Sequence, residues 1–281
     1  MNLKVARVLQ RLLSLLGRAG LAEIPPVRWA RSKVSSVTVD LAGVRLRVPK
    51  RFVEQYALSA YEPVTQASVE DRLGPGMVVI DVGAHIGYFS LLSAKLVGES
   101  GRVHAFEPSD ENLSYLKANV ALNNRRNVEV YPYAAGAERA QRSFHITGSS
   151  DSHGLHPHPN TTTLETVEVT QVPLDEIVTG RVDAVKIDVE GAELSVLDGM
   201  ARILSENPEL TLWVEWMPAC MRNAGYDPAE LPERLRSLGF AHIEVLDDHG
   251  NRRRPVDEVL PLVRSGELPK DWYVNLLARR N

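Results

Sequence analysis

From Gly76 onward, short apolar runs alternate with stretches whose apolar residues recur every three or four positions, the pattern of an α/β domain on a parallel sheet. Met77-Val-Val-Ile-Asp81, Val103-His-Ala-Phe-Glu107 and Val128-Glu-Val-Tyr-Pro-Tyr133 predict the first three strands. Val182 to Asp188 and Leu210 to Met217 predict the fourth and fifth. Ala241 to Leu246 and Asp271 to Ala278 complete a seven-stranded, mostly parallel sheet with an antiparallel last hairpin and helices on both faces. Leu91 to Val97 and Leu231 to Leu238 read as two of those helices. The basic stretch Asn251-Arg-Arg-Arg-Pro255 reads as a solvated turn.

Upstream, Ser36 to Leu41 and Val44 to Val48 alternate about an Ala42-Gly43 turn, a strand pair that could cap the edge of the larger sheet. Between the third and fourth strands, residues 138–180 form an insertion. Ser143-Phe-His-Ile and Thr163 to Thr170 look like added strands in it, flanking a polar, turn-rich segment that carries His153, His156 and His158. A loop of that length reads as an acceptor-facing lid more readily than as a metal site, with His153 a candidate base. The domains expected are 1–30, a helix and linker; 31–74, the strand pair; and 75–281, the main domain.

On a helical wheel Lys4, Arg7, Arg11 and Arg18 fall within about 60° of one another, opposite Val5, Leu9, Leu12, Leu13 and Leu16. Pro25 and Pro26 end that element. Such a helix docks on its own domain or on a twin subunit, or lies on an anionic membrane surface. The charge of −4 argues against a nucleic-acid partner, and the single cysteine, Cys220, rules out a disulfide framework. No run is long enough to span a bilayer, so the chain reads as cytoplasmic, with peripheral membrane contact or self-association left to the N-terminal helix.

Chemistry concentrates at the predicted strand ends. The first strand runs into Val82-Gly-Ala-His-Ile-Gly87, where Gly83 permits a sharp turn and Gly87 a close approach. The spacing is neither the G-x-G-x-x-G of a dinucleotide site nor a phosphate loop ending in Gly-Lys-Ser/Thr. Asp81 before the glycines would welcome a cation rather than a pyrophosphate. Glu107, twenty residues past Gly87, can accept both hydroxyls of a ribose. Asp188 and Glu190 follow the fourth strand and Glu215 ends the fifth, so all three should share the same edge of the sheet. They could orient or deprotonate an acceptor hydroxyl, or share a divalent cation such as magnesium. The alternatives are that Asp188 caps the next helix, that Glu190 and Glu193 favour its positive end, and that Glu215 pairs with Lys186.

Val79-Ile-Asp-Val-Gly-Ala-His-Ile-Gly-Tyr-Phe-Ser90, Ala105-Phe-Glu-Pro108 and Val185-Lys-Ile-Asp-Val-Glu-Gly-Ala-Glu193 resemble the FkbM family of class I S-adenosylmethionine-dependent methyltransferases, over about residues 75 to 250. The resemblance implies a Rossmann-like fold and O-methylation of a sugar or natural-product hydroxyl. It places Asp81, Gly83 and Gly87 around the methionine part of S-adenosylmethionine, Glu107 on the ribose and Asn112 near the adenine. His85, Pro108 and Asp188 count with the cofactor side, and Asp188, Glu190 and Glu215 with catalysis. The acid that many such enzymes carry after the third strand is replaced by Ala134-Ala-Gly136, which leaves the adenine amine unassigned. Three rivals stand: an N-methyltransferase, a nicotinamide-dependent oxidoreductase, and a non-catalytic cofactor-binding partner subunit.

Overall fold

The computed structural model describes residues 36–49, 56 and 61–280. The expected N-terminal helix and its proline linker lie outside the described residues. In chain order β1 (Ser36–Leu41) and β2 (Val44–Pro49) precede α1 (Pro63–Arg72), β3 (Val78–Val82), α2 (Tyr88–Val97), β4 (Arg102–Phe106), α3 (Asp110–Leu122) and β5 (Val128–Tyr131). The insertion contributes β6 (Ala134–Ala135), β7 (Ala140–Thr147) and β8 (Thr163–Val172). Then follow α4 (Leu174–Ile177), β9 (Ala184–Ile187), α5 (Glu193–Asp198), α6 (Ala201–Glu206), β10 (Thr211–Trp216), α7 (Pro218–Asn223) and α8 (Glu230–Ser237). β11 (His242–Asp247), β12 (Arg252–Pro255), α9 (Val256–Ser265) and β13 (Val274–Arg279) end the chain.

The main sheet runs β12-β11-β13-β10-β9-β3-β4-β5. Strands β5, β4, β3, β9 and β10 are parallel, and β13 inserts antiparallel between β10 and β11. Eight strands form, one more than the pattern predicts, because the basic stretch at Arg252 is an edge strand and not a solvated turn. The cause is Asp247, whose carboxylate accepts the Gly250 N–H at 2.7 Å and the Arg252 Nε–H at 3.1 Å. That closes a hairpin in which Arg252 to Pro255 pair with β11.

Alternation along the strands sends side chains to two cores. Ile80, Val82, Ile187, Leu212 and Val214 pack on one face with helices α5 to α9, and Val79, Val103, Ala184 and Trp213 on the other with α2. The N-terminal hairpin lies over this second layer and not on the sheet edge. Its inward Val44, Leu46 and Val48 are fully buried. Its open backbone edge is met by α3: the Arg47 N–H donates to Asn119 Oδ1 at 2.7 Å and the Arg45 N–H to Asn123 Oδ1 at 2.9 Å. Two asparagine amides thus do for a strand edge what a neighbouring strand would do.

Helix α1 has no side-chain cap of its own. Asp248, in the β11–β12 turn, accepts the N–H of Val64 at 2.6 Å and of Thr65 at 3.1 Å, across 184 and 183 residues of chain. Thr65 adds its hydroxyl at 2.6 Å. The order of strands reverses between β3 and β9, and the crevice beyond their carboxyl ends is where ligands of open α/β sheets sit. Among the described residues no helix is long and apolar enough to cross a membrane.

Candidate cofactor and catalytic site

The turn after β3 is set by how closely two strand ends approach. Gly83 has φ +81°, and a Cβ there would lie 1.7 Å from the carbonyl oxygen of Asp188. Any side chain would push the β9 tip away from the β3 tip. Gly87 serves packing instead: a Cβ there would meet Leu116 at 2.6 Å, and it lines no part of the cavity described below. His85 stands between them with φ +51°, a conformation that costs a non-glycine residue energy.

That turn grips Glu107. The His85 N–H donates to Oε2 at 2.8 Å and the Ser109 N–H to Oε1 at 2.9 Å, while only 4% of the residue is exposed. Burial lifts its carboxyl to about 7 against the lowering pull of these two bonds. Ser109 caps α3, and Asn112, buried in its first turn, donates through Nδ2 to the Ser150 carbonyl at 3.0 Å. The His85 ring bridges Tyr56, whose hydroxyl is 3.1 Å from Nδ1, and Ser150, whose Oγ is 2.9 Å from Nε2. Asn112 and His85 therefore pin the insertion across the sheet edge.

The second half of the site is acidic. Asp188, Glu190 and Glu215 each bring a carboxylate oxygen within 4.8 Å of the others. Lys186 Nζ donates to Asp188 Oδ2 at 2.5 Å and lies 4.7 Å over the Phe89 ring. Burial alone would lower the lysine, but Asp188, Glu62 and Asp81 together hold its ammonium above the ordinary value. Its ion-pair partner is thus Asp188, not Glu215, and Asp188 is not a helix cap, since Ala192 holds that position on α5. Glu193 behaves as the structural alternative expected, folding back to accept the Gly191 N–H at 3.0 Å. Glu215 is 7% exposed and its Oε2 has no hydrogen-bond partner among the described residues. Burial first, then Asp188 and Glu190, push its carboxyl well above the usual range. Glu190 has φ +56°, so a second non-glycine residue of the site is held in the left-handed region.

Both halves line one cavity of about 270 Å³. Gly83, His85, Glu107, Pro108 and Asn112 face it from one side, and Asp188, Glu190 and Glu215 from the other. Asp81 stands apart, in an adjoining cavity of about 20 Å³ with Lys186, its carboxylate accepting the Ser90 hydroxyl at 2.5 Å. His153 lines the main cavity with Nδ1 accepting the Thr147 N–H at 3.1 Å. Of the three histidines in the insertion it is His158, not the candidate base His153, that contacts Glu190, with Nε2 3.5 Å from Oε2. Sequence reasoning also missed Glu62, Tyr61 and Tyr273, which line the same cavity from the chain's two ends. The Glu62 carboxylate accepts Asn275 Nδ2–H at 3.0 Å, a pairing that no spacing in the sequence announces. The Lys-x-Asp spacing puts Lys186 and Asp188 on one face at the end of β9, but Glu215 on the neighbouring strand leaves the lysine's partner open until the fold is known.

Burial holds Glu62, Glu107 and Glu193 each at about 7, against 4.5 without burial. These groups bind protons more tightly in the folded chain, so their contribution to stability is greatest below about 4.5 and is lost as pH rises through about 7. Denaturant titrations should show the midpoint falling between about pH 5.5 and pH 8, with a smaller fall in Glu193→Gln. An equal fall in that variant would mean Glu193 does not carry its share.

A family model described as the methyltransferase FkbM domain matches residues 81–241. The chain is 30% identical over 162 residues to the 31-O-demethyl-FK506 methyltransferase FkbM of Streptomyces tacrolimicus, a match covering 46% of this chain and 61% of that protein. The structure of M. jannaschii TYW2 in complex with AdoMet superposes with a TM-score of 0.50 at 16% identity, covering 88% of this chain and 86% of that one. A methyltransferase FkbM structure from Methylobacillus flagellatus gives a TM-score of 0.46 at 18% identity, over 76% of this chain and 50% of that one. At 16% identity the likeness to the M. jannaschii structure speaks to the fold alone.

Proposed function

Because the chain belongs to the methyltransferase FkbM domain family, we propose that it is an S-adenosylmethionine-dependent O-methyltransferase acting on a hydroxyl of a small molecule or glycan. The observation that carries this reading is the convergence on one cavity of a buried strand-tip carboxylate and a three-carboxyl cluster. The residues present fit the cofactor. Each Glu107 oxygen accepts one backbone N–H and keeps a lone pair for a ribose hydroxyl. Phe106, Pro108, Asn112 and Tyr133 would flank the adenine. Asp81 acts at one remove, through Lys186.

When bound, S-adenosylmethionine supplies a methyl group on a sulfonium sulfur, which keeps the bonding electron pair as the methyl passes to the acceptor oxygen. The protein's part is to take the hydroxyl proton. Asp188 is committed to Lys186 and suits orientation rather than proton transfer. Burial lifts Glu190 above the ordinary carboxylate value, partly offset by His158. A carboxylate so tuned, lining the cavity, is the better general base. Glu215, whose carboxyl burial and the neighbouring acids push well above the usual range, can hydrogen-bond the acceptor. Lys186 places positive charge against Asp188 at the edge of the cluster.

Calorimetry with S-adenosylmethionine and, separately, NADH tests the cofactor. Binding of the former alone is expected. Transfer of a labelled methyl group to a pool of hydroxylated acceptors tests the reaction, and the label is expected in ethers. Label on nitrogen, or cofactor binding without any transfer, would replace this reading with one of its rivals.

A further inference from the structure

The insertion packs against the acidic cluster at Gly154 and reaches one of its carboxylate oxygens with a histidine. The Asn160 N–H donates to His158 Nδ1 at 3.1 Å. Nδ1 is therefore the acceptor nitrogen, and in the neutral ring the proton sits on Nε2. Nε2 is the nitrogen that faces Glu190, 3.5 Å from Oε2, with the imidazole only 6% exposed. The Cys220 thiol lies 3.2 Å from the same oxygen, with Met217 Sδ its other acceptor at 3.3 Å, so both donors that reach Glu190 meet at Oε2. Oε1 has no partner among the described residues. The loop backbone is shaped for this contact. A Cβ at Gly154 would come within 3.3 Å of the Glu190 Cβ, and Asn223 Nδ2 donates to the Pro157 carbonyl beside His158.

We propose that His158 is the positioning residue of this site: its Nε2–H orients the Glu190 carboxylate so that Oε1 faces the acceptor, and the same bond holds the 148–160 segment over the cavity. The assignment rests on the reading of Glu190 as the base. It differs from a role for His158 itself in proton transfer, because taking a second proton would break the bond from Asn160. The groups facing Glu190 are Asp188, Glu193 and Glu215 as well as Cys220 and His158, and His158 is the one member of this set contributed by the insertion. The bond thus ties lid closure to the orientation of the base.

Two readouts test this without cofactor or acceptor. Cys220 is the chain's single cysteine, so its S–H stretch in the infrared reports on how the thiol divides between Glu190 Oε2 and Met217 Sδ, its two acceptors. Hydrogen exchange over residues 148–160 reports on closure. His158→Leu is expected to shift the S–H band and to speed exchange in the segment roughly tenfold to a hundredfold, the cost of one charge-assisted hydrogen bond. His158→Gln, which can place an N–H near Nε2, is expected to restore both within about threefold. Glu190→Gln should move the band with His158 left in place. An unmoved band and unchanged exchange in His158→Leu would overturn the proposal. So would a glutamine variant that behaves as the leucine one does, since the ring would then serve packing only. Calorimetry with S-adenosylmethionine on the same proteins keeps the two readings apart: failure of the wild type to bind would sink the proposed function while leaving the His158 contact decided by the band and the exchange.

Discussion

Replacing Glu107 with alanine is expected to weaken S-adenosylmethionine binding by a hundredfold or more. Two charge-assisted hydrogen bonds to ribose hydroxyls are worth roughly 1.5–3 kcal/mol each, and 1.4 kcal/mol is tenfold in affinity. The alanine variant also strands the N–H groups of His85 and Ser109 in a buried turn, so it should unfold at a lower temperature. Glu107→Gln separates the two effects. It keeps one oxygen for the turn and loses the charge, so most of the stability should remain while affinity still falls about tenfold. Because burial holds the carboxyl at about 7, wild-type affinity should rise as the pH passes upward through that value, and the glutamine variant should show no such rise. Calorimetry across the pH range reads both, and unchanged affinity in Glu107→Ala would remove the ribose assignment.

The second large effect is on turnover. Glu190→Gln is expected to lower kcat by roughly a hundredfold to ten-thousandfold, the range for loss of a general base, while cofactor affinity stays within about threefold. Asp188→Asn should cost less in proton transfer but more in order, because it leaves Lys186 without its nearest partner in a buried setting. Glu215→Gln should be the mildest of the three, since burial and the neighbouring acids push this carboxyl toward the protonated form, which the amide resembles in shape and charge. A pH–rate profile distinguishes them. If Glu190 is the base, the acidic limb should vanish in Glu190→Gln and persist in Glu215→Gln. Full turnover in Glu190→Gln would move the base elsewhere.

Much of this arrangement was legible in the chain. Strand periodicity and the acids at strand ends brought Glu107, Asp188, Glu190 and Glu215 to one edge, because a parallel sheet sends all its strand tips the same way. What could not be read was pairing. Lys186 had Asp188 two residues away and Glu215 across the sheet, and only the packing of Phe89 beneath the ammonium settles which it takes. His153 and His158 are equivalent in a turn-rich loop until the loop is folded. Asn251 to Pro255 looked like a solvated turn because its charges hide a strand whose hairpin is closed by a single aspartate. Asp81 and Gly87 sit inside the strongest motif yet face a small side cavity and a helix, respectively. Local sequence strength marks a tight backbone there, not a contact surface.

The antiparallel insertion of β13 between β10 and β11 has a kinetic consequence. The β11–β12 hairpin has no neighbour in the sheet until the last strand of the chain arrives to bridge it to β10. That same hairpin carries Asp248, the cap of α1, and β13 carries Asn275, the partner of Glu62. Closing loops of that span is entropically slow relative to the local contacts of the parallel core. During synthesis on the ribosome, the central strands can therefore collapse while the wall formed by Tyr61, Glu62 and Tyr273 waits for β13 to emerge. The cavity wall is finished only after the parallel core, and a chain cut before β13 would hold a folded centre with no finished site.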